Sequence, residues 1–192
     1  MHNAMVCAFE YMGCASLLTM SHASYPALTA EFLTTLGHDI KNAGKEGTIT
    51  FQLGNVERTM SLRQWNQIFG FSTPAPKDYD HKRVPLLKMW RRISGQQDYN
   101  TKRARLHTEI ASPLFRLILR VLGNTVYARK ENSKPSDREL YFLFKALHNS
   151  GESLNVGWEL LTHLMQYKGF AGELQVGGMI AHIATRFDID LS

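Results

Sequence analysis

The stretch SLRQWNQIFGF, residues 61–71, decides the fold. Ser61 is placed to accept a hydrogen bond from a first-turn amide. Gln64, three residues on, can reach back to the Ser61 amide, which completes the reciprocal capping box that starts a helix. Leu62, Trp65, Ile68 and Phe69 then fall on one face. Gly70 suits the left-handed position just past a helix, and Phe71 can fold back onto the last turn. Every residue type here has a structural use, and none is a nucleophile with a base at a fixed offset. The stretch is predicted to be a short amphipathic helix that serves a core.

Upstream, TITFQL (residues 48–53) and VERTM (residues 56–60) alternate around Gly54-Asn55, the pattern of a tight hairpin. A lone two-stranded hairpin is marginal, so it is predicted to lie on helices. Further back, Leu28, Phe32, Leu33 and Leu36 recur at helical spacing between Tyr25-Pro26 and Gly37. Ala8–Met20 is predicted to be a helix as well. Downstream, STPAPKDYDHKRVP (residues 72–85) is a proline-rich loop, and LLKMWRRISG is a short helix stopped at Gly95. QQDYNTKRARLHTEIA leads by a polar loop to Ser112-Pro113, a serine cap followed by proline at the first helical position. Arg116 and Arg120 stand together on that helix, opposite its apolar face. Ser136 and Glu139 form a second capping box. Two more helices are predicted, one carrying Leu154, Trp158, Leu161 and Met165 and ended near Gly169, the other over Val176–Phe187 with Gly177, Gly178 and Ala181 permitting close approach of a neighbour. The expected fold is mainly α: a single helical domain with a small β-hairpin, residues about 48–60, packed on the helices. Residues 1–22 are expected to be an N-terminal helix or a truncated edge, and 23–192 the domain itself.

Hydrophobic residues make up 44% of the 192, enough for a real core. The formal charge of +5 is uneven. Residues 1–76 hold four Lys/Arg against five Asp/Glu, residues 77–130 thirteen against four, and residues 131–192 five against eight. The positive excess is therefore central, which favours phosphates or an acidic partner over a uniformly basic surface. The competing reading is a solvated, arginine-rich helix face. Cys7 and Cys14, seven residues apart, match neither a zinc knuckle nor a redox pair, and are expected to be buried free thiols of a reducing compartment. The apolar run at residues 4–20 has no preceding Lys or Arg, is interrupted by Glu10, and is too short for a membrane span. An intracellular protein, of cytoplasm or nucleus, is expected.

No phosphate-loop, dinucleotide-binding or nucleophile-elbow motif occurs. The eight histidines are scattered, and His163 and His182 on their predicted helices have no partner at metal-ligand spacing. Asp188 and Asp190 near the end offer too few oxygens for a divalent cation. No cofactor, metal or catalytic set is expected. The functional signal that remains is HKRVPLLKMWRR and TKRARLH, where cations interleave with Trp90, Tyr99 and His107. Lys82, Arg83, Lys88, Arg91, Arg92, Lys102, Arg103, Arg105, Arg116 and Arg120 are the candidate nucleic-acid contacts, with an aromatic as a stacking surface. Against this, Trp90 fits a core position of its own helix.

Taken together and in order, YPALTAEFLTTL, GTITFQLGNVERTMSLRQWNQIFGF, MWRRISG, IASPLFRLILRVLGNTVYAR, DRELYFLFKAL and VGGMIAHIA resemble the domain of first-open-reading-frame proteins of Athila-type plant retrotransposons. Tyr25-Pro26, Glu31-Phe32, Ser61, Phe69-Gly70-Phe71, Trp90, Gly95, Pro113, Arg116, Glu139-Leu140 and Gly177-Gly178 carry the likeness, which runs over residues of about 20–187. The resemblance implies a gag-position protein of a mobile element. It further implies a non-enzymatic interaction or scaffold domain that self-associates and contacts element RNA, with no membrane and no small-molecule substrate. A nucleic-acid-binding module acting through residues 77–130 and an unrecognised enzyme are the alternatives. The end of the chain just after the last family helix carries the expectation of a fragment or a domesticated copy.

Overall fold

A computed structural model describes residues 2–40, 47–73, 86–95, 105–129, 133–148, 155–168 and 176–191. The chain is mainly helical, with a small antiparallel sheet, as the sequence predicts. The first helix, α1 (His2–Tyr11), is shorter than the predicted Ala8–Met20. Gly13 breaks it with φ +71°, and the chain then makes a 3-10 turn over Ala15–Leu18. The cause lies fifty-nine residues away. The Ser72 amide donates to the Gly13 carbonyl at 2.9 Å, and a Cβ on Gly13 would sit 1.8 Å from the Ser72 hydroxyl. Ser16 Oγ also donates to the Phe69 carbonyl at 2.5 Å. Phe9, Met12, Cys14 and Leu17 join the common core.

Helix α2 (Pro26–Thr35) leads into β1 (Gly37–His38), β2 (Thr48–Leu53) and β3 (Val56–Ser61). The sheet order is β1-β2-β3, and β2 and β3 pair from Thr48↔Ser61 to Leu53↔Val56. Gly54 and Asn55 both have positive φ, 64° and 60°, which makes a type I′ turn matched to strand twist. Helix α2 holds this turn. The Glu31 carboxylate accepts from the amides of Gly54 at 2.9 Å and Asn55 at 2.6 Å, and Thr35 Oγ1 accepts from the Gln52 amide at 2.8 Å. Strand β1 adds a third member to the predicted hairpin. Two residues carry too little alternation to be legible as a strand.

Helix α3 (Leu62–Phe69) starts and stops as its residues dictate. Ser61 Oγ accepts from the Gln64 amide at 3.2 Å, and Gln64 Oε1 from the Ser61 amide at 2.8 Å. Gly70 is left-handed, with its amide on the Gln67 carbonyl and the Phe71 amide on the Asn66 carbonyl, a Schellman end. The buried face then docks on α7 (Val156–Gln166). Trp65 Nε1 donates to the Gly157 carbonyl at 3.0 Å, and Asn66 Nδ2 to Asn155 Oδ1 at 3.2 Å. Asn155 also caps α7 by accepting from the Trp158 amide at 3.0 Å. Around Trp65 the rings of Phe32, Phe69, Phe51 and Phe71 pack in sequence, with neighbouring centroids 4.9–6.4 Å apart.

The remaining helices are α4 (Leu86–Ser94), α5 (Pro113–Asn124), α6 (Asp137–His148) and α8 (Gly177–Arg186). Helices α4 and α5 both lie against α6, and α8 lies against α2 and α3. The neighbour that Gly177 and Gly178 admit is the segment before α2. A Cβ on Gly177 would sit 1.8 Å from Ser24 Oγ, and one on Gly178 would sit 2.9 Å from the His22 carbonyl oxygen. His182 bonds the Ile68 carbonyl through Nε2 at 2.9 Å and His22 Nε2 through Nδ1 at 2.8 Å. No helix among the described residues is long and apolar enough to cross a membrane.

The α3–α7 contact leaves no room for a side chain at Gly157, where a Cβ would lie 1.8 Å from Asn66 Oδ1. Gly157→Ala is expected to cost about 2–3 kcal/mol by overpacking. Trp65→Phe is expected to cost about 1–2 kcal/mol by removing one buried hydrogen bond. Urea denaturation measures both, and wild-type midpoints in the two variants would refute the assignment.

Candidate functional site

Several of the sequence-marked cations lie outside the described residues: Lys82, Arg83, Lys102 and Arg103, together with Tyr99 and the side chain of Lys88. The loop predicted at 72–85 lies outside them from residue 74 onward. Arg91 and Arg92 are exposed in the last turn of α4, where cations suit the negative end of the helix dipole. The Ala111 amide donates to the Ile93 carbonyl at 2.8 Å, which brings that last turn to the start of α5. Ser112 caps α5 through the Phe115 amide, and Pro113 opens it. Arg116 is half-buried and Arg120 exposed one turn later. Arg105 is partly withdrawn from any ligand by its ion pair with Asp137 at the start of α6.

Behind this end of the molecule lies a buried polar cluster whose assembly the sequence did not mark. The Ser136–Glu139 capping box forms as predicted, with the Glu139 amide on Ser136 Oγ at 3.2 Å and the Ser136 amide on the Glu139 carboxylate at 2.9 Å. Glu139 is fully buried and does a second job, binding the Arg129 guanidinium at 2.9 Å. Arg129 also donates to the Lys134 carbonyl at 2.7 Å. Tyr127 is buried beside them, and burial, with the Glu159 and Glu139 carboxylates adding to it, pushes its phenol well above the ordinary value. His163 stands edge-on to Tyr127 and Tyr167, with centroids 5.4 and 4.8 Å away. The capping-box spacing was the one local sign of Glu139. Nothing local marked Arg129, ten residues earlier, as its partner.

Two imidazoles register the charge of this region. His107 is buried, and among the described residues neither ring nitrogen has a hydrogen-bond partner. Burial pushes it down to about 4, and the Arg120 and Arg129 guanidiniums act in the same direction. Burial likewise pushes His163 down to about 4, with Arg138 and Arg129 adding to the shift against an opposing contribution from the Tyr127 backbone. Arg120 and Arg129 thus oppose a proton on His107, and Arg138 and Arg129 oppose one on His163, while the Glu159 and Glu139 carboxylates outweigh Arg138 at Tyr127.

Trp90 is fully buried, so its ring is a core residue of α4 and offers no stacking face for a base. His107 is buried in the same way. Cys14 is buried and burial pushes its thiol up to about 12, which leaves it unreactive. Cys7 is exposed, contrary to the expectation that both thiols are buried, because α1 presents it on its outer side. Among the described residues no three His, Cys, Asp or Glu side chains gather as a metal would require.

The model of the ATHILA ORF-1 family matches residues 4–192. The chain belongs to the ATHILA ORF-1 family. It is thus a gag-like first-open-reading-frame protein of a plant retrotransposon, from a family that is generally non-enzymatic. The ATHILA ORF-1 match takes in α1 from residue 4 onward as well as the segments that carry the likeness in the sequence. No curated protein and no solved structure matches the chain.

Because the folded-state values of His107 and His163 lie below the unfolded value of about 6.5, the unfolded chain takes up these protons first. Their contribution to stability is present above about pH 6.5 and is lost as pH falls toward 4. The urea midpoint is expected to fall on acidification from neutral pH into this window. The fall should be smaller in His107→Leu, and an equal fall in variant and wild type would refute the account.

Proposed function

We propose that this ATHILA ORF-1 protein is a non-enzymatic interaction domain that self-associates and contacts element RNA through the cationic end built by α4 and α5. The observation that carries the reading is the joining of the last turn of α4 to the start of α5 by the Ala111–Ile93 bond. That bond lies one residue past the exposed pair Arg91 and Arg92 and five before Arg116, which supports reading the three as one surface. Arg120 follows one turn along α5, and its charge reaches the interior at His107. Polyanion binding by such a surface needs no base-specific pocket, because it draws its free energy from released counterions. With Trp90 in the core, contact is by phosphate pairing rather than by stacking on that ring. The protein would remain intracellular, with its element's RNA.

The test is fluorescence anisotropy of a labelled single-stranded RNA across a salt series. Wild type is expected to bind with affinity that falls steeply as salt rises. In the Arg91→Ala, Arg92→Ala, Arg116→Ala, Arg120→Ala combination the log–log slope should drop by about 0.7 for each phosphate that is no longer neutralised. An unchanged slope and affinity would overturn the assignment of these residues. Sedimentation across a concentration series tests self-association separately, and a strict monomer that also ignores RNA would overturn the whole reading.

A further inference from the structure

The two edges of the sheet are treated differently. In a two-residue hairpin closed by Leu53 and Val56, alternate residues of each strand exchange bonds with the other strand, and those between them face outward. On β2 the outward positions are Thr48, Thr50 and Gln52. Asp39 and Thr48 bond one another, Gly37 pairs with Thr50, and Thr35 takes the Gln52 amide. On β3 the outward positions are Glu57, Thr59 and Ser61. Gln64 takes the Ser61 amide. Glu57 and Thr59 are exposed, and among the described residues no group bonds their outward backbone. An open strand edge of this kind is a template for another strand.

Two side-chain features sit on the same edge. Val56 is 47% exposed although it lies on the core-facing side of the strand with Met60. Four residues along, an open cavity of about 380 Å³ is lined by apolar Met60, Ile68 and Phe187 together with Thr59, Gln64, Gln67 and Arg186. Arg58 lies between, its guanidinium carbon 5.1 Å from the centroid of the Phe187 ring.

We propose that the outer edge of β3 is a self-association surface on which a second copy of the chain adds its own β3, antiparallel and two-fold related. The inference rests on the reading of the protein as self-associating and names the surface. With the dyad at Arg58, Glu57 lies opposite Thr59 of the second copy, and Thr59 opposite its Glu57. Each of these pairs exchanges two backbone bonds. The same register sets Val56 of each copy against Met60 of the other, so that the exposed valine meets the Met60 side of that mixed polar and apolar cavity twice. The two Arg58 side chains are neighbours across the dyad, and each is drawn onto its own Phe187. Six strands then form one continuous sheet. A contact of one short strand is below the roughly 1,200 Å² of a stable interface, so the association is weak and concentration-dependent.

Sedimentation velocity across a concentration series tests this on four chains: wild type, Thr59→Pro, Val56→Lys and Leu87→Lys. Proline at residue 59 removes an outward donor and leaves the bonds to β2 in place. Leu87, exposed on α4, is the control. The two edge variants are expected to move half-association to a concentration at least about tenfold higher than wild type. The control should match wild type, and urea midpoints should show that every variant is folded. Undiminished association in Val56→Lys, or equal loss in the Leu87→Lys control, would overturn the β3 assignment while leaving self-association in place. A wild type that stays monomeric would overturn the self-association reading and the edge with it.

Discussion

The fold depends on the contact between α3 and α7. Trp65 and Asn66 are adjacent, and each sends a donor into the first turn of α7, to the Gly157 carbonyl and the Asn155 side chain. A polar group buried without a partner costs far more than a made hydrogen bond returns, so these pairings select one arrangement of two segments about ninety residues apart. Once α3 is seated, its C-terminal end sets the other helices. The Phe69 carbonyl receives Ser16, the Ile68 carbonyl receives His182, and Ser72 beyond the cap reaches Gly13. The glycines at 13 and 157 are the places where the backbone must come close enough for this to happen.

The cationic end and the hydrogen-bonded core answer to different constraints. Arg91 and Arg92 are exposed on α4. Arg129 is instead drawn down to a fully buried Glu139, which already serves as a helix cap. A buried carboxylate with a guanidinium and a backbone amide on it is satisfied in both charge and geometry, and removing one member would strand the other. The histidines nearby stay neutral because burial and the surrounding guanidiniums both oppose a further positive charge. Exposed Arg120 on α5 is among the guanidiniums that oppose a proton on His107.

Much of this was legible from local pattern. Both capping boxes, the Schellman end at Gly70, the Gly54-Asn55 turn and the Pro113 helix start are written in residues a few positions apart, and each forms as its chemistry requires. The misses are non-local. The helix predicted across Gly13 breaks because of Ser72, and β1 exists only by pairing with β2. Glu31 was marked only as part of the family likeness, and nothing near it in sequence showed that it clamps the hairpin turn. Of the candidate contacts, the sequence located the arginine-rich helices but not the ion pair that occupies Arg105, since Asp137 lies thirty-two residues away.

The two linked imidazoles beside α8 obey a simple arithmetic of lone pairs. A carbonyl can only accept, so His182 must carry hydrogen on Nε2 to meet Ile68, and its Nδ1 is left to receive the Nε2 hydrogen of His22. One further proton can be lodged on the outer nitrogen of His22 without disturbing that chain. The strap that crosses the paired glycines is thus fastened by a relay whose hydrogens all point one way, from His22 through His182 to the end of α3.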